Sequence, residues 1–482
     1  MNNYNALMIE HSRPGRKGYT LRNTEVDQID LSEVFGSDLL RKESAQLPEV
    51  SEPEVVRHFT NLSKKNFAVD EGMYPLGSCT MKYNPKINEE VAALSGFNNV
   101  HPLQPISTVQ GSLEVMYGLQ NALKSISGMD QVSLLPSAGS QGELTGLMII
   151  KAYLRENNQQ HRNKIIIPDA AHGTNPASST MAGFEVLTIE SNENGTVDLE
   201  SLKAAVGEDT AGFMLTNPNT LGLFETNIIE IAKIVHEAGG LLYYDGANMN
   251  ANLGITRPGD MGFDVMHFNL HKTFATPHGG GGPGSGPIGV KEKLMDFLPG
   301  HYIEKTDDEY AFSDIPKHTI GKVRSYHGNF GVVLKAYAYV LSMGSDGLVS
   351  ASQLAVLNAN YIKESLKDDY YLPIKSICKH EFVFSGLLES KDVSTLDIAK
   401  RMMDYGYHPP TIYFPLIVDQ AMMIEPTETE TKETLDMYIE ALRKIAKEAK
   451  ESPEILHEAP ISTLVRRLDE VKAARKPVLT WK

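Results

Sequence analysis

Lys272 stands in Asp264-Val-Met-His-Phe-Asn-Leu-His-Lys-Thr-Phe, at the end of an apolar run, beside His271 and shortly before the glycine run 279–282. A buried ammonium is costly unless it is paired or neutralised. A lysine held in a dry pocket has a depressed pKa and acts as an amine nucleophile, which suits a Schiff base with pyridoxal 5'-phosphate (PLP). Taken alone, a surface lysine at a strand end is the plainer reading. Four further segments change that balance. Pro136-Ser-Ala-Gly-Ser-Gln-Gly-Glu143 lies between a strand and a helix, and Ser140 with Glu143 three residues on has the spacing of a capping box. Small residues there expose backbone N–H groups at a helix N-terminus, which favours a phosphate held by Ala138, Gly139 and Ser140. A structural cap explains the same turn equally well. Asp245 closes Leu-Leu-Tyr-Tyr-Asp, where a carboxylate can pair with a pyridine nitrogen and keep it protonated. Ala247 is small enough to lie under a flat ring. His172, in Asp169-Ala-Ala-His-Gly-Thr-Asn-Pro, can stack on such a ring, although a structural histidine is the commoner finding. Thr216, opening Thr-Asn-Pro-Asn-Thr, offers a hydroxyl to a ring oxygen, and turn chemistry alone accounts for Asn-Pro.

Lys272 follows Asp245 by 27 residues (272 − 245), room for one connection and one strand. The elements that must hold these groups read as alternating strands and helices between about 110 and 330. Strands are expected at 131–136, 164–169, 184–190, 211–216, 241–245, 264–270 and 286–290, and helices at 143–157, 198–206 and 227–238. Continuous apolar strands separated by helices predict a mostly parallel α/β sheet covered on both faces, with ligands at the C-terminal strand ends. An arm is expected over 1–65, a large domain over 66–335 and a smaller α+β domain over 336–482. The last should begin with a helix at 331–341 and contain a charged helix at 429–450.

The chain has 482 residues, 41% hydrophobic and 22% charged, the balance of a globular protein too long for one core. A net charge of −16, spread along the chain, argues against nucleic acid as a partner. No membrane partner is expected, because no apolar run approaches the length of a span. The start shows no basic region followed by an apolar stretch. Cys79 and Cys378 make no disulfide framework, and cytoplasm is the default expectation. No metal site is expected.

An anion-binding turn, an acid and a lysine on successive strand ends fit PLP fold type I, the aspartate aminotransferase superfamily. The lysine segment and the following Pro277-His-Gly-Gly-Gly-Gly-Pro-Gly-Ser-Gly-Pro-Ile-Gly-Val resemble the lysine loop of the glycine cleavage system P-protein family, the decarboxylating glycine dehydrogenases. Met73-Tyr-Pro-Leu-Gly-Ser-Cys-Thr-Met-Lys-Tyr-Asn-Pro, Ser137-Ala-Gly-Ser-Gln-Gly-Glu, Asp169-Ala-Ala-His-Gly-Thr-Asn-Pro, Tyr244-Asp-Gly-Ala-Asn-Met-Asn-Ala and Met343-Gly-Ser-Asp-Gly-Leu agree with it. The resemblance runs from about 65 onward and is closest to the C-terminal, lysine-bearing half of the split form, its subunit 2.

The resemblance implies a mostly parallel seven-stranded sheet in the large domain and a smaller α+β domain behind it. It implies PLP held as a covalent Schiff base on Lys272. Asp245 would sit on the pyridine nitrogen and His172 on the ring, and these with Lys272 are the catalytic candidates. Ala138, Gly139, Ser140 and His271 would hold the phosphate, with Ala247, Thr216 and Asn269 as further cofactor contacts. Tyr74 and Cys79 would lie where the family brings its N-terminal segment to the site, although a simple buried thiol is the plainer reading of Cys79 than a catalytic one. The implied reaction is decarboxylation of glycine, with transfer of the aminomethyl group to the oxidised lipoyl arm of H-protein. The implied assembly is an α2β2 heterotetramer with subunit 1. Arg324 or His101 could steer the substrate carboxylate, and the run 279–282 reads as a flap. The alternatives are another fold-type-I enzyme and a non-enzymatic scaffold. An aminotransferase would want an arginine in the small domain, where none stands out between 336 and 400 and Arg401 sits on a helical stretch, and a cysteine desulfurase would need Cys378 as nucleophile.

Overall fold

The structure is a computed structural model that describes residues 6–23, 25–43, 45–278, 284–390 and 392–480. The chain divides into two compact units, 1–71 and 72–482. The first holds one substantial helix, Glu52–Ser63, opened by reciprocal capping between Ser51 and Glu54. Apolar side chains such as Tyr19, Leu21, Leu39 and Leu47 are exposed there.

The second unit is built on a seven-stranded sheet. Its strands are β1 (Gln131–Ser133), β2 (Lys164–Pro168), β3 (Glu185–Ile189), β4 (Thr210–Thr216), β5 (Leu241–Gly246), β6 (Val265–Phe268) and β7 (Ile288–Val290), in spatial order β1-β7-β6-β5-β4-β2-β3. Only β7 runs antiparallel to its neighbours. The mostly parallel sheet read from the sequence is therefore present. The apolar runs Ile165–Ile167, Ala211–Leu215 and Leu241–Tyr244 are continuous because helices cover both faces. The helices Gly139–Glu156, Thr174–Met181, Leu199–Ala205 and Ile228–Glu237 follow strands β1, β2, β3 and β4 in turn. Pairing sets Thr216 opposite Asp245 and Asp245 opposite His267, so three chemically able side chains line up across three adjacent strands.

Beyond a hairpin of β8 (Ile303–Thr306) and β9 (Glu309–Phe312), a second sheet is made of β10 (Phe382–Ser385), β11 (Thr411–Ile412) and β12 (Ala421–Ile424). It is antiparallel, in order β10-β12-β11. Its core joins Phe382, Phe384, Met422 and Ile424 to Tyr438, Ile439 and Leu442 of the helix Lys432–Glu451.

Three expectations are corrected. Ser140 and Glu143 form no capping box: the helix starts at Gly139 with Ala138 as N-cap and no side-chain cap, and Glu143 lies inside the fold. The helix expected at 331–341 runs Phe330–Leu366, interrupted at Gly344, whose φ of 62° and ψ of −178° are non-helical. By length and composition that helix is apolar enough to cross a membrane, with a mean hydropathy of 1.2 over 18 residues, where no such run was expected. Reading it as ending at Leu341 hid its length, and Gly344 divides it into two segments.

Candidate active site

The C-terminal ends of the parallel strands carry the groups singled out by the sequence. Asp245 lies next to the end of β5, with only 4% exposure. Its Oδ2 accepts from Asn175 Nδ2 at 2.9 Å and its Oδ1 from the Ala247 amide at 3.0 Å. His267 Nε2 lies 3.3 Å from Oδ1, while its Nδ1 lies 3.0 Å from the Tyr243 hydroxyl. A neutral His267 with the proton on Nε2 serves both contacts, and burial holds this ring below its usual pKa. For Asp245, burial works to raise the pKa. His267, Asn175 and the Ala247 amide outweigh it and keep the carboxyl below its ordinary value. The result is a dry, anionic carboxylate at the strand ends.

His172 follows β2. Its Nδ1 lies 2.9 Å from the Thr174 hydroxyl, which reaches Glu143 Oε2 at 2.9 Å. Its ring meets Phe414 edge-on at 5.5 Å. Burial lowers the pKa of His172, with Asp245 opposing. Glu143 is pushed up to about 7 by burial and then by the charge of Asp245. Near neutrality it can carry a proton, which makes Glu143–Thr174–His172 a continuous donor and acceptor chain.

Ala138, Gly139 and Ser140 open the helix whose first-turn amides have no helical carbonyl to meet. Close packing explains the small residues. A Cβ on Gly139 would come within 2.2 Å of Asn269 Oδ1, and one on Gly286 within 2.0 Å of the Ala138 carbonyl. Ser140 itself is exposed. His271 Nδ1 accepts from the Ser285 amide at 3.4 Å, and its ring stands edge-on to His278 at 5.1 Å. Burial holds both rings neutral, lowering His271 to about 3 and His278 to about 4.

A polar, flat, phosphorylated ligand fits this surrounding on one structural ground. Thr216 Oγ1, Asn269 Oδ1, Ser285 Oγ and His278 Nε2 are all buried without a hydrogen-bond partner. Unsatisfied buried polar atoms are uncommon and call for an explanation. Here they accompany a buried carboxylate, an amine and a helix N-terminus.

The Lys272 amine donates to the Ser78 carbonyl at 2.8 Å. This brings the segment containing Tyr74 and Cys79 to the lysine. Tyr74 stacks on His408 at 3.9 Å. Burial raises the Cys79 thiol, with Lys272 opposing. Cys378 is buried and pushed up to about 12 by burial, unsuited to serve as a nucleophile. Arg401 is fully engaged with Glu448, at 2.8 and 2.9 Å, and with Asp404. Arg324 and His101 are exposed. The glycine run 279–282 lies outside the described residues.

Sequence reasoning gave no role to His267, and it took Glu143 for a cap. It also passed over Ser78, Glu381 and Glu425, which meet near Lys272. The alignment of His267 with Asp245 is set by strand register, for which 22 residues of spacing (267 − 245) offer only a hint. Among the described residues, two groups of three, Glu143–Asp245–His267 and His380–Glu381–Glu425, have ligand atoms within 4.8 Å of one another. Their carboxylates accept from Thr174, Asn175, Ala247, Ser78 and Thr80, so both are built as hydrogen-bond networks.

Two family models match the chain: "Glycine cleavage system P-protein" over 20–313 and "Glycine dehydrogenase, C-terminal domain" over 351–464. A probable glycine dehydrogenase (decarboxylating) subunit 2 from Caldanaerobacter subterraneus is 63% identical over 99% of both chains. One from Bacillus cytotoxicus is 60% identical over 99% of this chain and 97% of its own. Among solved structures, an inhibitor-bound glycine decarboxylase (P-protein) superposes with TM-score 0.73 at 19% identity, covering 86% of this chain and 94% of its own. The cysteine desulfurase CsdA from Escherichia coli superposes with TM-score 0.60 at 15% identity over 79% of this chain and 95% of its own. At those identities the superpositions establish the fold, an α/β architecture shared with fold-type-I enzymes. The family follows from the sequence relatives, and this chain belongs to the glycine cleavage system P-protein family.

Proposed function

We propose that this chain is the PLP-bearing subunit of a glycine decarboxylase. It would release the carboxylate of glycine as CO2 and pass the aminomethyl group to the oxidised lipoyl arm of H-protein. The observation that carries this reading is the alignment of Thr216, Asp245 and His267 at the strand ends, with the Lys272 amine on the turn that follows β6. When bound, PLP supplies an electron-withdrawing ring that accepts the electron pair left as CO2 departs.

The chain's own groups do the rest. Lys272 Nζ is the nucleophile for the covalent Schiff base and is placed to carry a proton afterwards. Asp245, kept anionic by Asn175, His267 and the Ala247 amide, holds a proton on the pyridine nitrogen. His172 covers the ring. Ala138, Gly139, Ser140 and His271 hold the phosphate, the last as a neutral donor. Asn269, Thr216 and Ala247 complete the contacts. The dry surroundings of Asp245 and His267 favour departure of the carboxylate as neutral CO2, with the bonding electron pair left behind.

The relatives' name, subunit 2, implies a companion subunit. An α2β2 heterotetramer in the cytoplasm, served by lipoylated H-protein, is the assembly this reading implies. The buried thiol of Cys378 and the engaged guanidinium of Arg401 speak against a desulfurase and an aminotransferase.

The test is exchange of labelled bicarbonate into glycine with lipoylated carrier, with and without the companion subunit. Exchange that requires the companion supports a split decarboxylase. No exchange in either case, with PLP bound and a competent carrier, overturns the reading. In Lys272→Ala the visible band gained on adding PLP should disappear, and a band unchanged there would remove the lysine assignment.

A further inference from the structure

Two carboxylates, Glu381 and Glu425, lie together near Lys272, and among the described residues neither forms an ion pair with a lysine or arginine. β10 and β12 pair antiparallel with Phe382 opposite Ile424. One step outward, this register faces Glu381 with Glu425, at 4% and 0% exposure. Like charges directly opposite across a strand pair are destabilising, and burial adds to the penalty. An arrangement of that kind needs a compensating partner.

The hydrogen bonds show what the pair holds. Glu381 Oε2 accepts from the Ser78 amide at 2.7 Å. Glu425 accepts from the Thr80 amide at 3.1 Å, the Thr80 hydroxyl at 2.7 Å, Asn248 at 3.0 Å and Asn250 at 3.1 Å. Ser78 and Thr80 both have left-handed backbones, with φ of 67° and 48°. A turn so strained at two non-glycine residues needs external bonds to hold it. The carbonyl of Ser78 is the one that receives the Lys272 amine. The same residue therefore bonds Glu381 through its N–H and Lys272 through its C=O.

We propose that Glu381 and Glu425 are positioning residues for Lys272, clamping the Ser78–Thr80 turn and facing the amine with negative charge whenever it is not joined to the cofactor. The inference deepens the proposed function and rests on it for the role of Lys272. Glu425 has four donors that favour its anion, while burial works to raise its carboxyl above the ordinary value. Glu381 has one and keeps a proton more readily: burial and then Glu425 push it up to about 8. The pair therefore gains negative charge as pH rises through about 8, where Glu381 gives up its proton. The other titratable groups facing it are Cys79, Cys378 and His380, and burial raises both thiols. His380 Nε2 lies 3.7 Å from Glu381 Oε1, and burial lowers this ring to about 3, leaving it neutral. Lys272 is the cation that these carboxylates face.

The test is competitive acetylation of the full chain freed of cofactor. Lys272 modification is read by mass spectrometry against Lys233, whose side chain is 71% exposed. Glutamine at 381 keeps an oxygen for the Ser78 amide, so Glu381→Gln removes charge and spares the turn. In Glu381→Gln, Lys272 should react about tenfold faster than in the parent at pH 9 and equally at pH 6.5, since the substitution removes a negative charge facing the amine only where Glu381 is ionised. In Glu425→Gln it should also react faster at pH 9. Equal rates at both pH values in folded Glu381→Gln overturn the proposal, whether or not Glu425→Gln folds. The functional reading is judged separately, by the visible band that PLP produces with the parent chain. Its absence, with the acetylation pattern intact, would sink that reading and leave the acid pair standing.

Discussion

At the scale of single residues, the site depends on groups that act through one another. His172 is oriented by the Thr174 hydroxyl, which is anchored on Glu143. Replacing the hydroxyl by a methyl of similar shape cuts that chain. Thr174→Val should therefore lower bicarbonate exchange by about 10–100-fold, the usual effect of losing an outer partner. It should also change the pH profile near 7, where Glu143 titrates. A profile identical to that of the parent would show that the chain has no bearing on the reaction. Lys272, Asp245, His172 and the 138–140 turn stand out as candidates in the sequence because each stands at a strand end in a fixed order. Glu143 was misread because a Ser-x-x-Glu spacing says nothing about which side of the helix faces inward.

At the scale of elements, one buried ion pair joins three segments distant in sequence. Lys82 Nζ lies 2.6 Å from Glu428 Oε1 and 3.2 Å from the Tyr339 hydroxyl. Its side chain is 1% exposed. Lys82→Met leaves Glu428 buried without its cation, a loss that costs about 3–5 kcal/mol. Denaturant unfolding should register that drop. The double variant Lys82→Met/Glu428→Gln should recover most of it, because no charge then stays unpaired. Failure of the second change to restore stability would mean that the segments are held by packing alone. Nothing in the sequence marks this pair, since its partners are 346 positions apart (428 − 82).

At the scale of the whole molecule, the buried titratable groups set the pH at which the fold is firmest. Glu143 and Glu381 are raised to about 7 and about 8, and Glu425 is raised as well. The folded chain keeps protons there that the unfolded chain gives up. This contribution is complete below the ordinary carboxyl value and is lost as pH climbs through 7 and 8. His271, His278 and His380, lowered to about 3, about 4 and about 3, act in the other direction, and their contribution is lost as pH falls below their ordinary value. Stability should peak at mildly acidic pH and decline above it. Between about pH 6.5 and 8, Glu381→Gln should flatten the decline by about 1.4 kcal/mol per pH unit. Urea titrations at the two ends of that range measure it, and parallel slopes in parent and variant would refute it.

The sequence by itself determined the parallel α/β sheet and the family, and it singled out Lys272 as the candidate for the cofactor. Apolar runs, small-residue turns and strand-end polar residues are local signals, and each survives without knowledge of any partner. Only the tertiary structure decided that His267 lines up with Asp245, that Glu143 stands behind Thr174, and that Glu381 and Glu425 converge on the turn over Lys272. Register and the packing of distant segments bring those groups together. Pairings over hundreds of residues leave no periodicity in the chain, because they follow from three-dimensional closure of the fold.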